Sequence, residues 1–140
     1  MPSAQEAKIA ILRTADLLRR RMTAVVGPAG LTAQQYNVLR ILRGVEPNPL
    51  PTLEIGERMI ESTPGITRLL DRLEKKGLVR RERGREDRRV VQCWVTPAGL
   101  ALLSGLDTAM MEAERCLLGT LSKEEIRQLV DQLERIGATP

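Results

Sequence analysis

The chain contains no histidine, only two cysteines, and no uninterrupted apolar run long enough to cross a bilayer. Each shortage removes a class of function. Without histidine the commonest general base and a principal zinc ligand are both missing, and two cysteines do not make up a zinc site. Cys93 and Cys116 are also too few for a disulfide framework, so reduced thiols are expected. A spanning helix needs roughly 18 or more consecutive apolar residues, and the sequence never approaches that. The stretch MPSAQEAKIAILRTADLLRRRM spreads charge through its apolar positions and lacks the separate basic, hydrophobic and small-residue regions of a secretory signal. A soluble, cytoplasmic protein is expected. No Gly-rich phosphate loop and no nucleophile beside a base can be found, so the reading is not an enzyme, with no metal and no cofactor.

What is present suffices for one domain: 140 residues, 42% apolar and 29% charged. The net charge of +4 is modest, but its distribution is not even. Between Arg68 and Arg89 lie Arg72, Lys75, Lys76, Arg80, Arg81, Arg83, Arg85 and Arg88, set against five carboxylates. A polyanionic partner and an ordinary solvated surface of mixed charge both fit this count.

Periodicity gives the order helix, helix, helix, helix, hairpin, helix, helix. Ser3 with Glu6 opens a helix carrying Ile9, Leu12, Ala15, Leu18, Met22 and Val25, stopped by Gly27, Pro28 and Gly30. Thr32 with Gln35 opens a second, wide in its apolar stripe. EPNPLP (46 to 51) reads as a stiff connection, after which Thr52 caps a short helix. Ser62 and Thr63 are candidate caps of the next, with Pro64 in its first turn and Gly77 at its end. Leu78 to Arg83 and Val90 to Val95 are β-prone runs around the polar tip GREDRR. Thr96-Pro97 starts a long helix, and Ser122 with Glu125 the last.

Two short helices followed by a charged hairpin is the arrangement that sets one helix in the major groove of double-stranded DNA while the hairpin reaches a neighbouring groove. The candidate DNA-binding residues follow. Ser62, Thr63, Pro64 and Gly65 are small enough for close backbone approach; Thr67, Arg68 and Arg72 project from the helix; Arg85, Arg88 and Arg89 stand on the hairpin tip, where an arginine suits the minor groove. Asp87 is read as orienting an arginine, with an ordinary surface pair as its alternative.

These residues carry a resemblance. LTAQQYNVL, TPGITRLLDRLEKKGLVRRERGREDRRVV and VTPAG are similar to the MarR family of transcriptional regulators over essentially the whole chain. The resemblance implies a mainly α fold with a small β-hairpin wing (α+β), a single domain over 1–140 with a winged helix-turn-helix DNA-binding lobe over 31–96. It also implies a homodimer built by dimerisation helices over 3–27 and 97–137. It further implies a regulator, most naturally a repressor, on a palindromic operator, with a possible small-molecule effector between the dimerisation helices and the lobe. Arg13, Tyr36 and Met110 are the candidates lining that region. Arg89 matches the wing arginine that enters the minor groove in family members.

Some positions depart from the pattern. Gly56 stands where alanine is usual, which would bring two helices closer at a cost of roughly 1 kcal/mol in propensity. Cys93 falls at a core aliphatic position, and neither cysteine lies in the first helix, where the family's peroxide sensors carry theirs; Cys116 is read as packing at the dimer interface. Strand alternation sets Trp94 opposite Val91, Cys93 and Val95, leaving it exposed, packed on a neighbour, or a partner contact. The rival to DNA reading is a winged-helix module that binds protein, which would not need arginines on both helix and wing.

Overall fold

The computed structural model describes residues 3–138, and the elements follow from local chemistry at their ends. Helix α1 (Ala4–Val26) starts where Ser3 Oγ accepts the Glu6 amide at 3.2 Å, and it gives way to a 3-10 turn over Gly27–Ala29. Thr32 and Gln35 form the reciprocal capping box of α2 (Ala33–Arg43), with bonds of 3.1 and 3.0 Å. Ser122 and Glu125 do the same for α6 (Lys123–Gly137).

Between these lie a two-residue strand β1 (Leu50–Pro51), α3 (Thr52–Arg58), α4 (Ile66–Lys75), β2 (Val79–Arg83), β3 (Val91–Val95) and α5 (Pro97–Leu118). The sheet is antiparallel in the order β1-β3-β2, with Leu50 opposite Cys93, Val79 opposite Val95 and Arg83 opposite Val91. The fold is therefore mainly α with a small sheet. Val38, Leu39 and Leu42 of α2, Ile55 of α3, Leu70 and Leu73 of α4, Cys93 of β3 and Leu103 of α5 are fully buried in one cluster.

Three sequence expectations change. Residues 46 to 51 are more than a connection, because Leu50 and Pro51 add a third strand to the hairpin; proline is tolerated there since the strand is an edge. Thr52 does not cap α3: Pro51 holds the cap position, and the Thr52 hydroxyl donates instead to the Val91 carbonyl at 3.3 Å. Ser62 and Thr63 do not cap α4 either. Gly65 occupies that position without a side-chain bond, Pro64 lies in the turn before it, and Thr63 Oγ1 donates back to the Glu61 carbonyl at 3.0 Å.

The end of α4 and the start of α5 are joined by one knot of hydrogen bonds. Gly77 takes φ +74°, and the amides of Gly77 and Leu78 close on the Glu74 and Leu73 carbonyls at 2.9 and 3.0 Å. The Thr96 hydroxyl donates to the Gly77 carbonyl at 2.7 Å and accepts the Gly99 amide at 3.1 Å, while the Thr96 amide reaches the Leu78 carbonyl at 3.1 Å. Gly99 is needed here: a Cβ would stand 2.5 Å from the Leu78 carbonyl oxygen and 2.7 Å from a Val95 methyl. Gly56 is the opposite case. Nothing lies within 4 Å of its missing Cβ, so no close helix approach explains it.

Opposite effects are expected for two identical substitutions. Gly99→Ala should cost roughly 1 to 3 kcal/mol through overpacking, whereas Gly56→Ala should be neutral or stabilise by up to about 1 kcal/mol through helix propensity. Urea unfolding of both variants at one protein concentration checks this, and a destabilised Gly56→Ala would show that the space beside α3 is used.

Candidate nucleic-acid interface

Helix α4 is sorted by charge as well as by polarity. Leu69, Leu70 and Leu73 face the core. On one flank Asp71 and Glu74 turn toward the sheet, and on the other Arg68 and Arg72 stand exposed, one helical turn apart. The acidic flank is occupied: the Arg81 guanidinium on β2 takes Glu74 at 2.9 and 3.3 Å and is paired with Asp71. The Arg81 amide adds a further bond to Glu74 at 3.1 Å, and the side chain is only 18% exposed. This clamp fixes the sheet to α4. Sequence reasoning counted these charges without pairing them, although carboxylates three apart on one helix edge were the available signal.

The loop between β2 and β3 is equally ordered. The Gly84 amide donates to the Val90 carbonyl at 2.7 Å and the Val90 amide to the Asp87 carbonyl at 3.1 Å. A side chain at Gly84 would collide with that Asp87 carbonyl, at 2.7 Å. Asp87 grips Arg89 by accepting from two guanidinium nitrogens, Nε and Nη2, each at 3.1 Å, and from the Arg89 amide at 3.0 Å. These bonds, the side-chain one first, hold the Asp87 carboxyl below the usual aspartate range. The pair is thus intact above the ordinary aspartate pKa and is lost only as pH falls through the lowered value. Arg89 itself is 91% exposed. Arg85 and Arg88 share the exposed tip, and the Arg88 carbonyl accepts from Arg83 at 3.0 Å.

A clear division follows among the described residues. Arg81, Arg80 and Arg58 are taken up by carboxylates of the lobe, whereas the side chains of Arg68, Arg72, Arg85 and Arg88 have no partner. Of the other residues singled out, Thr67 is exposed on α4, and Ser62, Thr63, Pro64 and Gly65 form the turn leading into it. Trp94 is half-buried under the Arg80 guanidinium, 4.2 Å from its ring centroid across the β2–β3 pair. Cys93 is buried against Thr52, and burial pushes its thiol up; Cys116 is exposed on α5.

Tyr36 and Met110 are brought together and Arg13 is not. Both buried side chains line a cleft of about 320 Å³ between α2 and α5, where Arg43 makes a two-pronged bond to Asp107 at 3.0 and 3.1 Å. Arg13 is exposed on α1 and does not line that cleft.

A three-helix lobe with an ordered charged hairpin, preceded in the chain by α1 and followed by α5 and α6, with α1 packed against α5, is a winged helix-turn-helix architecture. The MarR family model matches residues 31–91. The chain is 40% identical to a MarR transcription factor from Planctomyces limnophilus whose crystal structure covers 96% of this chain and 97% of that one, with TM-score 0.75. It is 29% identical to the homoprotocatechuate degradative operon repressor of Escherichia coli, over 93% of this chain and 86% of the repressor. The same fold is seen in a mutant MarR of Escherichia coli complexed with operator DNA, at 24% identity and TM-score 0.81, over 92% of this chain and 91% of that one. The chain belongs to the MarR family of transcriptional regulators, a family of regulators and not of enzymes. Among the described residues no helix is long and apolar enough to cross a membrane.

The clamp and the tip predict a sign. Glu74→Gln and Asp87→Asn each remove a negative charge from the winged lobe, so long-range attraction alone would tighten duplex binding. Because each carboxylate holds an arginine in place, both variants are expected to bind a few-fold more weakly. Fluorescence anisotropy with labelled duplex decides between the two, and tighter binding by both would show that neither carboxylate positions the wing.

Proposed function

We propose that the chain works as a cytoplasmic homodimer that binds a palindromic operator through α4 and the wing and represses transcription. The observation that carries this reading is the division of charge in the lobe. Among the described residues Arg68, Arg72, Arg85 and Arg88 are left without partners, while neighbouring arginines are spent on holding the lobe together. Unneutralised guanidinium groups on both a helix and a projecting loop suit phosphate and base edges, and a protein-binding module has no need of both. Ser62 to Gly65 would let the backbone approach DNA, with Thr67 and Arg68 toward the major groove and Arg89, oriented by Asp87, toward the minor groove. The operator complex of the Escherichia coli neighbour and the repressor among the relatives support this reading.

The dimer rests on surface left uncovered within one chain. Ile9, Leu12 and Leu17 of α1 and Ile126, Val130, Leu133 and Ile136 of α6 are exposed, and α6 buries none of its described residues. Apolar faces on both terminal segments call for a partner, and a second copy presents the matching ones. For a small-molecule effector two of the hollows lie between a flanking helix and the lobe. One is the Tyr36–Met110 cleft; the other is an apolar groove of about 260 Å³ that includes Met22, Asn37 and Met59.

Sedimentation should find a dimer at micromolar concentration, and Leu12→Glu with Leu133→Glu should give a helical monomer that has lost operator affinity. A wild-type monomer with full affinity would overturn the dimer and the two-fold operator together.

Selection of bound fragments from genomic DNA should return an inverted repeat with half-site centres about 10 to 10.5 bp apart, or a multiple of that. On that operator Arg89→Ala should weaken binding to every duplex and lower the log-log salt slope by about one, with base preference retained. Arg68→Ala should cost roughly 1 to 3 kcal/mol at one base pair per half-site. If Arg89→Ala changes neither affinity nor slope, the wing is not a DNA contact and a protein partner is the better reading.

A further inference from the structure

Arg68 and Arg72 line more than an open helix face. They form one wall of a cleft of about 330 Å³ whose other wall comes from a different helix, through Gln34 in the first turn of α2; the 63–65 turn closes it. No carboxylate is among its described lining residues, because the acidic residues of α4 are turned to Arg81 on the opposite flank. Among the described residues neither guanidinium nor the Gln34 amide has a partner, and Gln34 is exposed at the cleft wall, where its amide is open to an incoming ligand. Two like charges four residues apart repel by roughly 0.2 to 0.5 kcal/mol in an isolated helix, so their juxtaposition in a cleft without a carboxylate favours an anion between them.

We propose that this cleft seats one backbone phosphate of the duplex beside the major groove, with the Gln34 side-chain amide donating to a non-bridging oxygen next to Arg72. DNA is then held from α2 as well as from α4 and the wing. A phosphodiester suits the donors: one negative charge on two oxygens, met by planar guanidinium forks and a neutral NH₂ group. The inference rests on the DNA-binding reading and adds a contact that reading does not contain. It has a thermodynamic fingerprint, because a neutral amide adds a hydrogen bond without releasing a counterion.

The test uses the full chain, with binding to operator and scrambled duplexes measured across a salt series and circular dichroism checking each variant. Gln34→Ala should weaken both duplexes by a similar factor, about three- to tenfold, with the salt slope unchanged. Gln34→Glu puts a carboxylate opposite Arg68 and Arg72. It should lose more than about tenfold and lower the slope by about one to two, as the arginines become neutralised within the protein. A single methylphosphonate linkage, scanned along each half-site, should reveal one position that weakens the wild type but leaves Gln34→Ala unaffected. A Gln34→Ala variant within twofold of wild type would overturn the seat, as would a loss confined to one base pair, which would make Gln34 a base reader. Micromolar binding of inorganic phosphate to wild type but not to Gln34→Ala would reassign the cleft to a free anion. If the wild type binds no duplex at any salt concentration, the DNA-binding reading fails, and the seat with it.

Discussion

Arg81 holds the helix and the hairpin of the lobe in one frame. Only residues 76–78 separate α4 from β2, and a hairpin hung on so short a hinge could pivot about it without changing any local secondary structure. The guanidinium prevents this by spanning Asp71 and Glu74, while the Arg81 amide reaches Glu74 from the backbone. Exposed ion pairs contribute little because water competes for both partners. Here the Arg81 side chain is only 18% exposed and makes several bonds, while Asp71 and Glu74 keep half or nearly half of theirs in water, so the clamp acts chiefly by fixing geometry. The unpaired arginines on the far flank of α4 can remain unpaired because the acidic residues of the same helix are committed here.

The same commitment explains why some of the site was legible in the sequence and some was not. Thr32, Thr96 and Ser122 cap helices through bonds to residues three positions away, and such bonds are written in the local sequence. The hairpin, its polar tip and the glycine end of α4 were legible for the same reason. Thr52 and the Ser62–Thr63 pair look like caps by the same rule, yet neither caps its helix. The packing of β3 beside α3 offers the Thr52 hydroxyl the Val91 carbonyl, and the Thr63 hydroxyl turns back to the Glu61 carbonyl. Strand β1 was hidden because Leu50 and Pro51 have no alternation of their own, and only a partner 43 residues away, Leu50 with Cys93, makes them a strand. Residue types gave the candidate arginines; which of them are free could be known only from what each carboxylate touches.

Apolar residues divide in a parallel way. The spacing of Ile9, Leu12, Leu18 and Met22 makes α1 a helix with one stripe, but the stripe does not have one fate. Its C-terminal part, through Met22, Val25 and Val26, packs on the core, whereas Ile9 and Leu12 remain in solvent. Periodicity reports that a face exists and is silent about what covers it. Trp94 makes the same point on the sheet: alternation set it opposite the core, and the cross-strand Arg80 decides that its ring is stacked and not bare.

A regulator that responds to events away from its DNA face needs a stiff connection between the helices that would pair with a second copy and the helix that would enter the groove. Two such connections run from α5. Near its start, the Thr96 hydroxyl and amide bind the Gly77 and Leu78 carbonyls at the end of α4, and Gly99 packs so tightly that a single methyl group would not fit. Farther along, Asp107 takes Arg43 at the end of α2 through two bonds. Helix α5 therefore grips the lobe at two points more than two helical turns apart, which resists rotation as well as translation, since a single point would allow the lobe to swing. The cleft holding Tyr36 and Met110 lies between α2 and α5 and includes Arg43 and Asp107 among its lining residues. A group inserted there would have to part the two helices or displace that ion pair. Any such change would reach α4 as a change of angle, because the Thr96–Gly77 junction would act as the remaining pivot.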